Sequence, residues 1–148
     1  MDFSVTAEQE MMIDSARNFA EKEIKPWLRY LEEKAGTEEA HMKAREIYKK
    51  AAELGFTSMG YPKECGGLEV DPLTIGLISE ALGRYGGLSH LESGSNLCGP
   101  SGPGAVISVA GSEEQKQEWV QKIIRGDKII SIGSTEPHCG SDVSQIRT

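Results

Sequence analysis

Residues 112–134, which read SEEQKQEWVQKIIRGDKIISIGS, contain the change of pattern that decides the fold. The run from Ser112 to Gln115 has the form of a capping box, and the apolar residues after it repeat at helical spacing until a glycine ends the pattern. Asp127 then marks a turn. The β-branched run from Ile129 to Ser134 predicts a strand.

One strand by itself can neither bury a face nor satisfy the hydrogen bonds of its edges. The predicted strand therefore requires partner strands, either from further residues or from another chain. We expect an α-helical domain over residues 1–127 and the truncated beginning of a β domain over residues 128–148.

Further helices precede this segment. Apolar residues repeat every three or four positions from about Ala7 to Leu31, with Thr6 as the predicted N-cap and Pro26 predicted to kink or end the helix. One more helix is predicted to begin at Thr37 and end at Gly55, and another to begin at Asp71-Pro72 and end at Gly83. A further capping box, Ser89–Glu92, precedes the glycine-rich stretch to Gly104. Packing in the core is expected for Met11, Met12, Ile47, Tyr48, Leu54, Ile78, Leu82, Trp27 and Trp119.

Composition and charge exclude several classes of protein. The 148 residues carry a formal net charge of -7, which argues against non-specific nucleic-acid binding and against an anionic membrane surface. No apolar run is long enough to span a bilayer, and the first residues do not resemble a signal peptide. The three cysteines lack a CxxC pair, so neither a disulfide framework nor a metal site is expected. We expect a cytoplasmic protein, with a mature mitochondrial matrix form as the open alternative.

Several short motifs occur in order along the chain. The run Thr135-Glu136-Pro137-His138-Cys139-Gly140-Ser141-Asp142 resembles the Thr-Glu-Pro-x-x-Gly-Ser-Asp signature of acyl-CoA dehydrogenases. Upstream matches cover nearly the whole chain. They are residues 19–26 (FAEKEIKP), 54–56 (LGF), 62–68 (PKECGGL), 79–84 (SEALGR), 111–116 (GSEEQK) and 126–128 (GDK).

The resemblance implies a mainly α chain: an N-terminal helical domain followed by the first strand of an incomplete β-barrel domain. It implies FAD as cofactor, an acyl-CoA substrate, an electron-transfer flavoprotein as electron acceptor, and a homo-oligomer for the full-length protein. The reaction is α,β-desaturation of the thioester. The catalytic base of the family comes from a C-terminal domain, so we assign no catalytic residue, and we expect residues 1–148 alone to be inactive.

The resemblance also assigns binding residues. Ile132, Ser134 and Thr135 are expected beside the flavin ring, where the Thr135 hydroxyl and backbone N–H groups would bond to its polar edge. Gly140 is expected to let the backbone approach closely, and Ser141 to contact the CoA-bearing substrate and close the flavin segment.

The sequence departs from the family pattern at His138-Cys139, where small residues are common, and in the glycine- and serine-rich residues 92–104. Glu136 is interpreted as a carboxylate that fixes the turn rather than as a general base. A Cys-His nucleophilic pair is disfavoured, because adjacent residues of an extended chain point to opposite sides. An acyl-CoA oxidase, a flavin monooxygenase and a non-catalytic helical module or partner subunit remain alternatives.

Overall fold

A computed structural model describes residues 4–84, 103–130 and 133–147. This part of the chain is mainly helical, as predicted. Its helices are α1 (Ala7–Phe19), α2 (Leu28–Glu33), α3 (Glu38–Glu53), α4 (Pro72–Gly83), α5 (Pro103–Ala110), α6 (Glu113–Gln115) and α7 (Gln121–Ile124). The predicted capping box at Ser89, the residue His90 and the site residue Ile132 lie outside the described residues.

The first helical run begins where the sequence predicts and changes its winding ahead of Pro26. Thr6 caps α1, since its hydroxyl accepts a hydrogen bond from the Gln9 backbone N–H at 3.1 Å, and the Gln9 side chain completes a capping box. Between α1 and α2 the chain forms a π-helical turn, Ala20–Ile24, and a 3-10 turn, Lys25–Trp27. Pro26 supplies no N–H donor, so the α-helical ladder cannot continue through it.

The predicted caps of α3 and α4 are also confirmed. Thr37 accepts a hydrogen bond from the N–H of Ala40, and the Asp71 carboxylate accepts from the N–H groups of Leu73 and Thr74. Gly55 has a positive φ of 83°, the left-handed conformation that a glycine after a helix adopts without strain.

Two apolar clusters hold the helices together. The larger joins α1 to α4 and includes Phe19 and Phe56, whose rings lie 5.5 Å apart between centroids. The smaller surrounds Tyr61, Cys65, Val120 and Ile123. Ile129 packs against the larger cluster and Ile130 against the smaller, so the chain leaving α7 stays attached to the helical body.

Four predicted packing residues are instead exposed: Met11 to 67%, Leu54 to 55%, Trp27 to 36% and Trp119 to 41%. Trp27 lies in the 3-10 turn after Pro26, and Trp119 in the π-helical stretch Lys116–Val120. Both windings rotate side chains away from the α-helical register on which the prediction rested. Each tryptophan instead faces a lysine, with the Lys43 ammonium 3.8 Å from the Trp27 ring centre.

The predicted strand from Ile129 to Ser134 does not form in the residues of it that the structure describes. Residues 128–130 and 133–135 have irregular backbone, and the described chain contains only an isolated bridge between Glu136 and Cys139. A β-strand forms its hydrogen bonds with a neighbouring strand, and no described segment pairs with these residues. Among the described helices, none is both long and apolar enough to cross a membrane.

Candidate functional site

The predicted flavin-side residues lie on the surface of the segment 133–147. Ser134, Thr135, Gly140 and Ser141 are all exposed, on the two sides of a tight turn. Among the described residues, none forms a hydrogen bond with the hydroxyl of Ser134 or Thr135. These groups are therefore free to bond to something else.

The turn between them is closed by two backbone hydrogen bonds. The Glu136 N–H donates to the Cys139 carbonyl at 3.0 Å, and the Cys139 N–H donates to the Glu136 carbonyl at 3.2 Å. Pro137 and His138 occupy the two central positions, where proline's fixed φ favours a turn. The turn brings the residues before and after it close together, so Thr135 and Gly140 lie on neighbouring chain segments.

Glu136 ties this turn to the end of the described chain. Its carboxylate accepts a hydrogen bond from the Arg147 backbone N–H at 3.1 Å and lies 3.3 Å from His138 Nε2. His138 Nε2 is also 3.1 Å from the Gln145 carbonyl oxygen. These contacts agree with the interpretation of Glu136 as a structural carboxylate.

The prediction that His138 and Cys139 point to opposite sides is wrong. The chain forms a turn here rather than an extended segment, and the turn places ligand atoms of Glu136, His138 and Cys139 within 4.8 Å of one another. The three side chains offer a carboxylate oxygen, an imidazole nitrogen and a sulfur. The sequence does contain a signal for this turn, because the proline that follows Glu136 favours one.

Asp142 organises the residues that follow Ser141. Its carboxylate accepts from the Ser144 hydroxyl at 2.6 Å and from the Ser144 backbone N–H at 3.2 Å, capping the 3-10 turn Val143–Gln145. The hydrogen bond from the Ser144 hydroxyl holds the pKa of Asp142 below its ordinary value. The Asp142 carboxylate is thus occupied by Ser144. The hydroxyl of Ser141, on the segment after the turn, is exposed.

Gly140 leaves room beside the backbone. A β carbon at this position would meet no heavy atom within 4 Å, and the same holds at Gly133. No described residue therefore requires these glycines. The hydroxyls of Ser134, Thr135 and Ser141 and the space beside Gly140 are open to solvent in the described structure.

The helical part of the chain resembles a known protein domain. A family model described as the N-terminal domain of acyl-CoA dehydrogenase matches residues 6–127. The chain belongs to the acyl-CoA dehydrogenase family. The short-chain specific acyl-CoA dehydrogenase of Clostridium acetobutylicum is 35% identical over 144 residues, which cover 96% of this chain and 35% of that protein.

Other family members agree. The mitochondrial short-chain specific acyl-CoA dehydrogenase of Homo sapiens is 32% identical over 139 residues, which cover 94% of this chain and 32% of the human protein. The crystal structure of acyl-CoA dehydrogenase from Geobacillus kaustophilus matches with a TM-score of 0.80 at 30% identity, covering 99% of this chain and 36% of that one. The chain thus spans about a third of the length of the relatives it matches.

Proposed function

We propose that this chain forms the N-terminal part of a flavin-dependent acyl-CoA dehydrogenase that introduces an α,β double bond into an acyl-CoA thioester. The observation that carries the proposal is the family match over residues 6–127, followed in sequence by the Thr135–Asp142 signature. We also propose the division near residue 127, since the flavin-side signature follows it.

FAD is the proposed cofactor. When bound, it supplies the acceptor for the hydride that leaves the β carbon. The exposed hydroxyls of Ser134 and Thr135 would bond to the flavin, Ile132 would lie beside its ring, and Gly140 would leave room for it. A Bacillus anthracis acyl-CoA dehydrogenase complexed with FAD, 27% identical with a TM-score of 0.78, supports this cofactor.

The same segment gives this chain its proposed part in substrate binding. Ser141 would contact the CoA-bearing substrate, because its hydroxyl is exposed while the neighbouring Asp142 is engaged with Ser144. No residue of this chain is proposed as the base that removes the α proton. Residues 1–148 alone are therefore expected to contribute to binding and orienting the cofactor and the substrate, and to have no catalytic activity.

An electron-transfer flavoprotein is the proposed electron partner. Support comes from a relative named as a subunit of a caffeyl-CoA reductase–Etf complex from Acetobacterium woodii, which is 34% identical over 145 residues. A matching structure, 33% identical with a TM-score of 0.77, comes from work on the electron transferring flavoprotein of Acidaminococcus fermentans. We further propose a homo-oligomeric, cytoplasmic protein.

Reduction of an enoyl-CoA is the second candidate function. It is favoured by that caffeyl-CoA reductase relative and by the acryloyl-CoA reductase (NADH) of Anaerotignum propionicum, 32% identical over 148 residues. The two candidates share the same binding residues and differ in the direction of hydride transfer.

The test is an anaerobic titration of the complete encoded protein, loaded with flavin, with acyl-CoA thioesters of graded chain length. We expect one of them to bleach the oxidised flavin absorbance and to yield the enoyl-CoA by mass spectrometry. Reoxidation of the reduced flavin by enoyl-CoA faster than by an electron-transfer flavoprotein would favour the reductase.

Other outcomes separate the remaining alternatives. Rapid reoxidation by oxygen would favour an acyl-CoA oxidase or a flavin monooxygenase. A complete protein that binds no flavin would overturn the proposal and leave a non-catalytic helical module or partner subunit.

A further inference from the structure

We propose that Glu136, His138 and Cys139 form a binding site for a divalent cation of the zinc type. Each residue contributes one ligand atom, and the three atoms lie within 4.8 Å of one another. The sequence pattern predicted no metal site, because the cysteines lack the paired spacing of a zinc motif. The tertiary arrangement supplies instead a mixed set of oxygen, nitrogen and sulfur.

The turn explains how one short run presents all three donors. The paired backbone hydrogen bonds of Glu136 and Cys139 make these residues direct partners across the turn, and side chains of such partners share a face. His138 reaches back toward them, with its Nε2 atom 3.3 Å from a Glu136 carboxylate oxygen.

The chemistry of the donors selects the ion. Zinc binds cysteine sulfur at about 2.3 Å, histidine nitrogen at about 2.0–2.1 Å and carboxylate oxygen at about 2.0–2.2 Å, in tetrahedral geometry. Such bond lengths put neighbouring ligand atoms roughly 3.3–3.8 Å apart. The turn therefore needs a contraction of about 1 Å at its widest pair, within reach of side-chain rotation. Calcium and magnesium prefer oxygen ligands and are disfavoured here.

The surroundings support a cation at this point. The Glu136 carboxylate is oriented by the Arg147 backbone N–H, at 3.1 Å, which is the kind of outer contact that fixes a metal ligand. His138 Nε2 lies 3.1 Å from the Gln145 carbonyl oxygen, which accepts only from a protonated ring nitrogen. Zinc binding through Nε2 would replace this contact and place the ring proton on Nδ1. With three protein ligands, the fourth position stays open to water.

Binding would release protons. The Cys139 thiol would lose its proton to solvent on forming the zinc thiolate, and His138 would bind through its neutral ring. The site uses none of Ser134, Thr135, Gly140 or Ser141. Zinc affinity and flavin content can consequently be measured separately.

The first test is calorimetric titration of the complete encoded protein, reduced, with zinc chloride. We expect one ion per chain, and at least a tenfold weaker affinity in each of His138→Ala, Cys139→Ser and Glu136→Gln. The matched control is His41→Ala, which removes an exposed histidine of α3 and should leave affinity unchanged. Unchanged zinc affinity in the His138 and Cys139 variants would overturn the proposal.

A second measurement needs no variant. The alkylation rate of Cys139 in the native protein is followed by peptide mass spectrometry with and without zinc. We expect saturating zinc to slow alkylation of Cys139 at least tenfold. Equal alkylation of Cys139 in both conditions would refute the site even if the variants failed to fold. Flavin content measured on the same samples reports separately on the proposed dehydrogenase.

Discussion

The phenol oxygen of Tyr61 lies so close to the backbone of Gly104 that any β carbon at position 104 would overlap it. Tyr61 is buried, and its hydroxyl has no hydrogen-bond partner among the described residues. The first turn of α5 therefore rests directly against this ring. Glycine is required at position 104 by contact rather than by backbone conformation.

The first prediction concerns this contact. Gly104→Ala should lower the free energy of unfolding by about 1–3 kcal/mol, because an inserted methyl group in a packed site forces neighbours to shift. In a Tyr61→Phe background most of this loss should disappear, since the overlapping oxygen is gone. The measurement is urea denaturation of the four members of the double-mutant cycle.

Gly76→Ala is the matched control. Gly76 lies inside α4, and a β carbon there would meet no heavy atom within 4 Å. Alanine should therefore stabilise the helix by about 0.5–1 kcal/mol. An equal loss from Gly104→Ala in both the tyrosine and the phenylalanine background would contradict the assigned contact.

The second prediction concerns alkaline pH. Burial raises the pKa of Tyr61 from 10.0 to about 12, with the neighbouring Cys65 adding to the effect. The unfolded chain loses this proton near pH 10.0 and the folded chain only near pH 12, so stability should fall as pH rises through that interval. Burial also raises the pKa values of Tyr48 and Cys65, which act in the same direction.

Urea midpoints measured across that interval check this prediction. Tyr61→Phe removes one of the three titrating groups, so its midpoint should fall less steeply with pH than that of the parent chain. Parallel pH dependences of variant and parent would show that the Tyr61 hydroxyl does not carry the effect.

The third prediction concerns Thr57, which is fully buried. Its hydroxyl donates to the Ile124 carbonyl at 2.7 Å and so satisfies an oxygen at the end of α7. Thr57→Val keeps the volume but removes the donor, and should cost about 1–3 kcal/mol. Thr57→Ser keeps the donor and should cost less. Thermal or urea unfolding of both variants compares them, and a valine variant as stable as the parent would exclude a contribution from this bond.

The fourth prediction addresses the proposed flavin segment. Thr135→Ala in the complete encoded protein removes an exposed hydroxyl that makes no contact within the described chain, so folding should be unaffected. Flavin affinity should fall about tenfold, the effect of losing one hydrogen bond of about 1.4 kcal/mol. Thr37→Ala, at the α3 cap, is the control that should affect stability but not flavin affinity. Unchanged flavin affinity in Thr135→Ala would remove this residue from the proposed site.

Local signals in the sequence were sufficient for the helix boundaries. Thr6, Thr37, Asp71 and Ser112 each cap the helix that they were predicted to start. Capping involves a side chain and the backbone two or three residues later, so it is encoded within one turn. The position of Gly55 after α3 follows from the same kind of local rule.

Register within the helices was less predictable. Trp27 and Trp119 fit an ideal α-helical face in sequence, but non-α windings turn them to the surface. The strand expected at Ile129–Ser134 does not form in its described residues, 129–130 and 133–134, for a different reason: strands are stabilised by neighbours distant in sequence. The candidate site was also chosen from the sequence. The contacts of Ser134, Thr135, Gly140 and Ser141 with flavin and substrate remain predictions.

The sequence by itself determined that this chain is helical, where α1, α3, α4 and α6 begin, and to which family it belongs. These properties depend on capping, periodicity and ordered motifs, which act over a few residues. Only the tertiary structure decided that Tyr61 presses on Gly104 and that Glu136, His138 and Cys139 converge. Such contacts depend on how chain segments fold back on one another, and side-chain packing and turn closure fix that arrangement in three dimensions.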